Sequence, residues 1–314
     1  MNNWNSYLRD YNAHLLLERG LSKETIYNYL QDVSKFCNYL DKESINIPPE
    51  KVDVSNLRGF IVWINQKGLA AGTQARIMQG LRAFFNYLWM EGIVKANVTL
   101  LVDTPVLGFR LPVMLNIVEI ERMIKNIDRT SNEGQRNKAI IETLYGCGLR
   151  VSELVNLKIS ELFFNEGYIK VVGKGNKERI VPIGRVAMND ITSYLKFERN
   201  QTEIQKGMND IVFLNCHGSK MSRTMVFIIV QNLAKLAGIR KAVGPHTLRH
   251  SFASHLLEGG ADLIAIQEML GHDSIVTTEI YTHVQKQHLM DTIVRFHPRN
   301  TKTKNRLHYM TSGA

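Results

Sequence analysis

Residues 246–284 read HTLRHSFASHLLEGGADLIAIQEMLGHDSIVTTEIYTHV. The spacing in this stretch predicts three short helices: one from Pro245–His246 to the glycines after Leu257, a second from Asp262, and a third from Ser274. His246 and Arg249 are three residues apart at a helix start, so both project to one side. His272 ends the second helix in a Leu-Gly-His turn, and Tyr281 lies on the third. Two histidines, an arginine and a tyrosine at these spacings are suited to surround one phosphate. The rest of the chain decides whether they do.

The chain has 314 residues, 44% hydrophobic and 22% charged, with a formal net charge of +10. Its length predicts two domains and its apolar content allows a core in each. The basic excess suits a polyanion, since each neutralised phosphate releases counterions, but it also fits ordinary solubility. Three widely spaced cysteines, Cys37, Cys147 and Cys216, make neither a disulfide framework nor a CxxC metal pair. The first twenty residues are charged throughout and lack a signal peptide's apolar centre, and no run approaches the ~20 apolar residues of a membrane span. A reducing cytoplasm is the expected location, with no metal and no cofactor.

Residues 1–96 read as an all-α domain. Apolar spacing predicts helices over 4–19, from Ser22 (an N-cap) to about Leu40, over 54–66 and over 72–90, with Gly20, Pro48-Pro49 and Gly92 as breaks. Lys35, Lys67, Arg76 and Arg82 on these helices either face a duplex or form an ordinary solvated face. Residues 97–112, with Pro105, Gly108 and Pro112, read as a linker. Residues 113–300 form the second domain, and 301–314 a basic, weakly periodic tail that reads as an extension outside the fold.

The second domain is mixed α+β. Helices are expected over 117–127, 135–145, 186–199 and 223–237, with a short strand at 211–213. In GCGLRVSELVNL, Arg150 opens a short helix after a glycine turn, and Glu153 three residues on is placed to hold its guanidinium. The alternative is a surface pair of little energetic weight. The neighbouring glycines favour a ligand's close approach. Residues 168–172 and 178–181 read as a β-hairpin with Lys174 at its glycine-flanked tip, either reaching a phosphate or simply solvated.

Arginines, a lysine, histidines and a tyrosine, without paired carboxylates, do not suit two-metal catalysis. The G-x-S-x-G elbow of a serine hydrolase is also missing. The inventory suits neutralisation of a phosphodiester's developing charge and attack on it by a tyrosine.

In order along the chain, GLRVSEL (148–154), GKGNKER (173–179), HTLRHSFASHLL (246–257), LGH (270–272) and YTHV (281–284) resemble the motifs of the tyrosine recombinase (phage integrase) family. The likeness is greatest to its Xer-type chromosome-dimer resolvases, and to their XerD branch more than their XerC branch. The resemblance extends over nearly the whole chain, including an HPR sequence at His297, Pro298 and Arg299. It implies an N-terminal SAM-like core-binding domain and an α+β catalytic domain, closing as a C-shaped clamp on DNA. It further implies that Tyr281 is the nucleophile of a 3′-phosphotyrosyl intermediate, and that Arg150 and Arg249 clamp the phosphate. Lys174 would protonate the leaving 5′-oxygen, His246 and His272 would bond the phosphate or move a proton, and Glu153 would orient Arg150.

The implied partners are a double-stranded DNA recombination site, a homo- or hetero-tetramer with a second, XerC-like recombinase, and the septal DNA translocase FtsK. The helix after Tyr281 would dock on a neighbouring subunit. Ile264, where an arginine is expected, and Cys216-His217, where basic residues are usual, depart from the Xer pattern and put DNA-contact details in doubt. A mobile-element integrase, a type IB topoisomerase and a non-catalytic DNA-binding protein on this fold are the alternatives.

Overall fold

The computed structural model of the chain describes residues 4–103, 113–173, 177–271 and 283–300. It separates into two compact units, Met1–Arg110 and Leu111–Ala314.

The first unit is helical: α1 (Trp4–Ala13), α2 (Lys23–Lys42), α3 (Val54–Gln66) and α4 (Ala71–Met90). Ser22 caps α2 by accepting from the Thr25 amide, and Asp53 and Asn56 form a capping box on α3. The expected first helix changes character near its end, where His14–Glu18 is a π-helical turn. The wider turn lets His14 and Leu15 both point inward. There the His14 ring lies on Tyr87, and its Nδ1 meets the Glu18 carboxylate at 2.8 Å. Aromatic side chains fill the core: Phe36 meets Phe60 edge-to-face at 5.2 Å and Trp4 at 5.8 Å, each such pair adding about 0.5–1.5 kcal/mol beyond its burial.

Residues 97–102, expected in the linker, pack on this unit instead. The Asn97 side chain donates to the Arg82 carbonyl and accepts from the Thr99 amide, capping a 3-10 turn at Val98–Leu101. Thr99 and Val102 are buried. All four basic residues singled out above are engaged within the unit. Arg76 makes a two-pronged bond to buried Asp32 (2.7 and 2.8 Å), Lys35 lies 3.5 Å from the same carboxylate, Arg82 donates to the Val102 carbonyl, and Lys67 sits over Trp63.

The second unit is built around α6 (Gly134–Cys147), whose residues 139–147 are all buried. Around it lie α5 (Ile117–Lys125), α7 (Val151–Asn156), α8 (Arg185–Phe197), α9 (Arg223–Leu236), α10 (Pro245–Glu258), α11 (Leu263–Leu270) and α12 (His283–Phe296). An antiparallel sheet of β1 (Leu162–Phe163), β2 (Tyr168–Val172) and β3 (Glu178–Pro182) has the order β1-β2-β3, with Tyr168 opposite Pro182 and Val172 opposite Glu178. The hairpin is the expected one; the short β1 was not anticipated.

The expected strand at 211–213 is only a bridge, Ile211 to Lys158. A fan of donors from the Arg199 guanidinium to the carbonyls of Met208, Asn209 and Ile211 holds that segment in place of a ladder. In α12, Leu289 and Ile293 belong to this unit's own core. The helix expected from Ser274, and the tail at 301–314, lie outside the described residues. Among the described residues, no helix is long and apolar enough to cross a membrane.

Candidate active site

Helix α6 ends at Gly148, which takes a left-handed conformation (φ +60°). A Cβ there would lie 2.4 Å from the Phe252 ring. The glycine is thus required by the turn and by packing. The turn makes Arg150 the N-cap of α7. Glu153 Oε2 accepts from the Arg150 amide at 2.7 Å while Oε1 accepts from the Arg150 guanidinium at 3.0 Å. The Glu153 side chain is 1% exposed, so the surface-pair reading is wrong.

A second arginine shares that carboxylate. Arg179, on β3, donates to Oε1 at 2.5 Å and to Oε2 at 2.9 Å. Arg249, on α10, brings a third guanidinium to 4.0 Å from Oε2. Three positive groups therefore meet one carboxylate. Burial pushes the Glu153 carboxyl up, but the hydrogen bonds and charge of Arg179, with the bonds from Arg150, outweigh it and hold it below the usual carboxylate range. Burial, then the charges of Arg150 and Arg179, draw Arg249 down to about 10, against the opposing pull of Glu153. It stays protonated at neutral pH.

The C-terminal end of α11 completes the framework. Its last carbonyls have no partner within the helix and carry the negative end of its dipole. Met269 O accepts from Arg179 Nε (3.0 Å), Leu270 O from Arg249 Nη2 (2.6 Å) and Gly271 O from Arg150 Nη2 (3.0 Å). Arg249 Nη1 also donates to Gly148 O at 2.7 Å. Three successive carbonyls thus anchor three arginines drawn from three elements.

His246 is exposed on the first turn of α10, one turn before Arg249. Lys174, His272 and Tyr281 lie outside the described residues. A Cβ on Gly173 would lie 3.7 Å from Glu153 Oε1, and Gly271 O accepts from Arg150 Nη2. Among the described residues, no three His, Cys, Asp or Glu side chains gather as metal ligands would.

Comparison with known proteins agrees with this geometry. Residues 114–288 match the phage integrase family, and residues 8–92 match its N-terminal SAM-like domain. The chain belongs to the phage integrase family. As a tyrosine recombinase of that family it is 42% identical to the tyrosine recombinase XerD of Listeria monocytogenes serotype 4b (strain F2365) over 295 residues, covering 94% of this chain and 99% of the relative. It is 40% identical to the tyrosine recombinase XerC of Thermodesulfovibrio yellowstonii, covering 95% and 98%. Among solved structures, the XerH site-specific recombinase in a post-cleavage complex with a palindromic difH substrate aligns with TM-score 0.66 at 28% identity, covering 88% of this chain and 81% of that one. The Tn1549 transposon integrase shares the fold with TM-score 0.68 at 18% identity, covering 95% and 98%.

One arginine of this cluster, Arg179, is expected from the sequence only as a residue of the second hairpin strand. The signal was present: Arg179 and Val181 occupy alternate, buried positions of β3. A charged residue on the inward face of a strand needs a buried partner.

Proposed function

We propose that this chain is a site-specific DNA recombinase that cleaves and rejoins DNA through a 3′-phosphotyrosyl intermediate on Tyr281. The observation that carries this reading is the surplus of positive charge around Glu153. Three guanidiniums on one buried carboxylate leave two positive charges for an anion to neutralise, and a pentacovalent phosphorane is such an anion. Arg150, 32% exposed, and Arg249 are the pair that bind its non-bridging oxygens. Tyr281 Oη attacks phosphorus as its proton leaves, the bond to the 5′-oxygen breaks, and Lys174 donates the proton that the 5′-hydroxyl needs. His246 and His272 bond the phosphate or relay the tyrosine's proton. One phosphodiester is exchanged for another, so the step needs no energy source.

The 42% and 40% likeness to XerD- and XerC-named proteins supports a Xer-type role. In this role the enzyme works in the cytoplasm within a tetramer that includes a second recombinase, and it resolves chromosome dimers with FtsK as activator. The test is a nicked suicide substrate, which traps the covalent complex. Wild-type protein is expected to form the adduct and Tyr281→Phe none. An adduct formed by Tyr281→Phe refutes the assignment. Mapping the trapped sites on genomic DNA separates a replication-terminus site from the end of a mobile element.

A further inference from the structure

We propose that Arg179 is a positioning residue for Arg150. It would set that guanidinium's place in the site through the shared Glu153 carboxylate and through the end of α11. The inference rests on the recombinase reading and extends it to a residue that touches no substrate.

Arg179 is 8% exposed and spends its donors on protein. Nη1 and Nη2 take the two oxygens of Glu153, and Nε takes Met269 O. Glu153 in turn directs Arg150 by two bonds, and Gly271 O, two residues beyond the carbonyl Arg179 holds, directs it by a third. Arg179 therefore grips both supports of the clamp. The contact is close on the other side too: a Cβ on Gly271 would fall 2.9 Å from Arg179 Cδ, so the glycine turn and the arginine fit each other. Without Arg179, the Glu153 carboxylate would be free to turn towards Arg249, already 4.0 Å away. Arg150 would then lose its fixed orientation while keeping its charge.

A guanidinium is needed because only its planar fork reaches both carboxylate oxygens and a carbonyl at once. A lysine supplies the charge without the fork.

The test compares wild type, Arg179→Gln, Arg179→Lys and Arg150→Ala in single-turnover cleavage of a nicked duplex and of the same duplex with an uncharged methylphosphonate at the scissile position. Removing the phosphate's charge lessens the need for a well-placed cation. Both Arg179 variants are expected to bind DNA as wild type does and to cleave the phosphodiester on the order of 100-fold more slowly, the scale of a 1 Å misplacement. On the methylphosphonate they should recover towards wild type, as Arg150→Ala should too, and Arg179→Gln should add nothing to Arg150→Ala in the double variant. A folded Arg179→Lys that cleaves at the wild-type rate overturns the proposal. So does an equal loss on both substrates, additivity with Arg150→Ala, or failure of both Arg179 variants to fold. If wild-type protein itself forms no adduct, the recombinase reading falls instead.

Discussion

Glu153 is the residue on which the others depend. Its two oxygens accept four hydrogen bonds from Arg150 and Arg179 at 2.5–3.0 Å, and it is nearly out of contact with water. Replacing a buried ion pair whole is often tolerated, but removing one partner leaves charge uncompensated and costs about 3–5 kcal/mol. Glu153→Gln keeps the shape, yet turns one acceptor into a donor facing a guanidinium. It should lower the free energy of unfolding by about that amount, read from the shift in urea midpoint at neutral pH. A midpoint equal to wild type would mean that the three arginines find other partners and that the surplus positive charge around the carboxylate is small.

At the scale of elements, three helix termini converge on the site. The end of α6 delivers Gly148 O to Arg249, the start of α7 is Arg150, and the end of α11 offers the carbonyls of 269–271. Gly148 links the first two. An alanine there must hold φ near +60°, which costs roughly 1–2 kcal/mol for an L-residue, and must push the Phe252 ring aside. Gly148→Ala is expected to lose at least that stability, about 1–2 kcal/mol, and to slow strand cleavage together with it, since Arg150 and Arg249 share this turn. Thermal unfolding alongside a suicide-substrate assay checks both. Loss of stability with cleavage untouched would separate the turn from the site.

Over the whole second unit, a buried polar cluster ties the far end of the chain to the centre of the core. Arg299 reaches the Glu142 carboxylate of α6, with Nε to Oε2 at 3.0 Å, and Tyr145 Oη pairs with His255 Nδ1 at 2.8 Å. His297 is wholly buried against Tyr145 and Phe252. Burial above all, then the nearby His255 and Arg299, push it from 6.5 down to about 3. Between these values the unfolded chain binds a proton that the folded chain does not. Stability contributed by the neutral ring is therefore present above about pH 6.5 and lost as the pH falls, at about 1.4 kcal/mol per unit. His255, also lowered, adds in the same direction, while Glu142, raised by burial, opposes it. The urea midpoint of the full chain should drop between pH 6.5 and 5, and His297→Phe, which retains an aromatic ring, should flatten that slope. An unchanged slope would show that the ring takes up its proton without unfolding.

Much of this molecule was legible in its residues. Apolar period and capping marked α2, α3, α4 and α9 to within a residue or two, because each helix buries one stripe against a core whatever lies opposite. Arg150, Glu153, His246 and Arg249 stand out in the sequence as candidates for that chemistry, because few other functions use that set at those spacings. What the residues could not show is which elements face one another. The bond from Arg150 to Gly271 O spans 121 positions, and that from Arg179 to Met269 O spans 90. Local pattern tells a side chain which way to point but not what it meets. Asn97 was read as linker, and Arg179 as an ordinary strand residue, for that reason. Residue types alone determined two units, their helices and a phosphate-directed chemistry. Only the tertiary structure decided that one carboxylate and one helix end hold three arginines together, because that requires the packing of α7, β3, α10 and α11 at a single point.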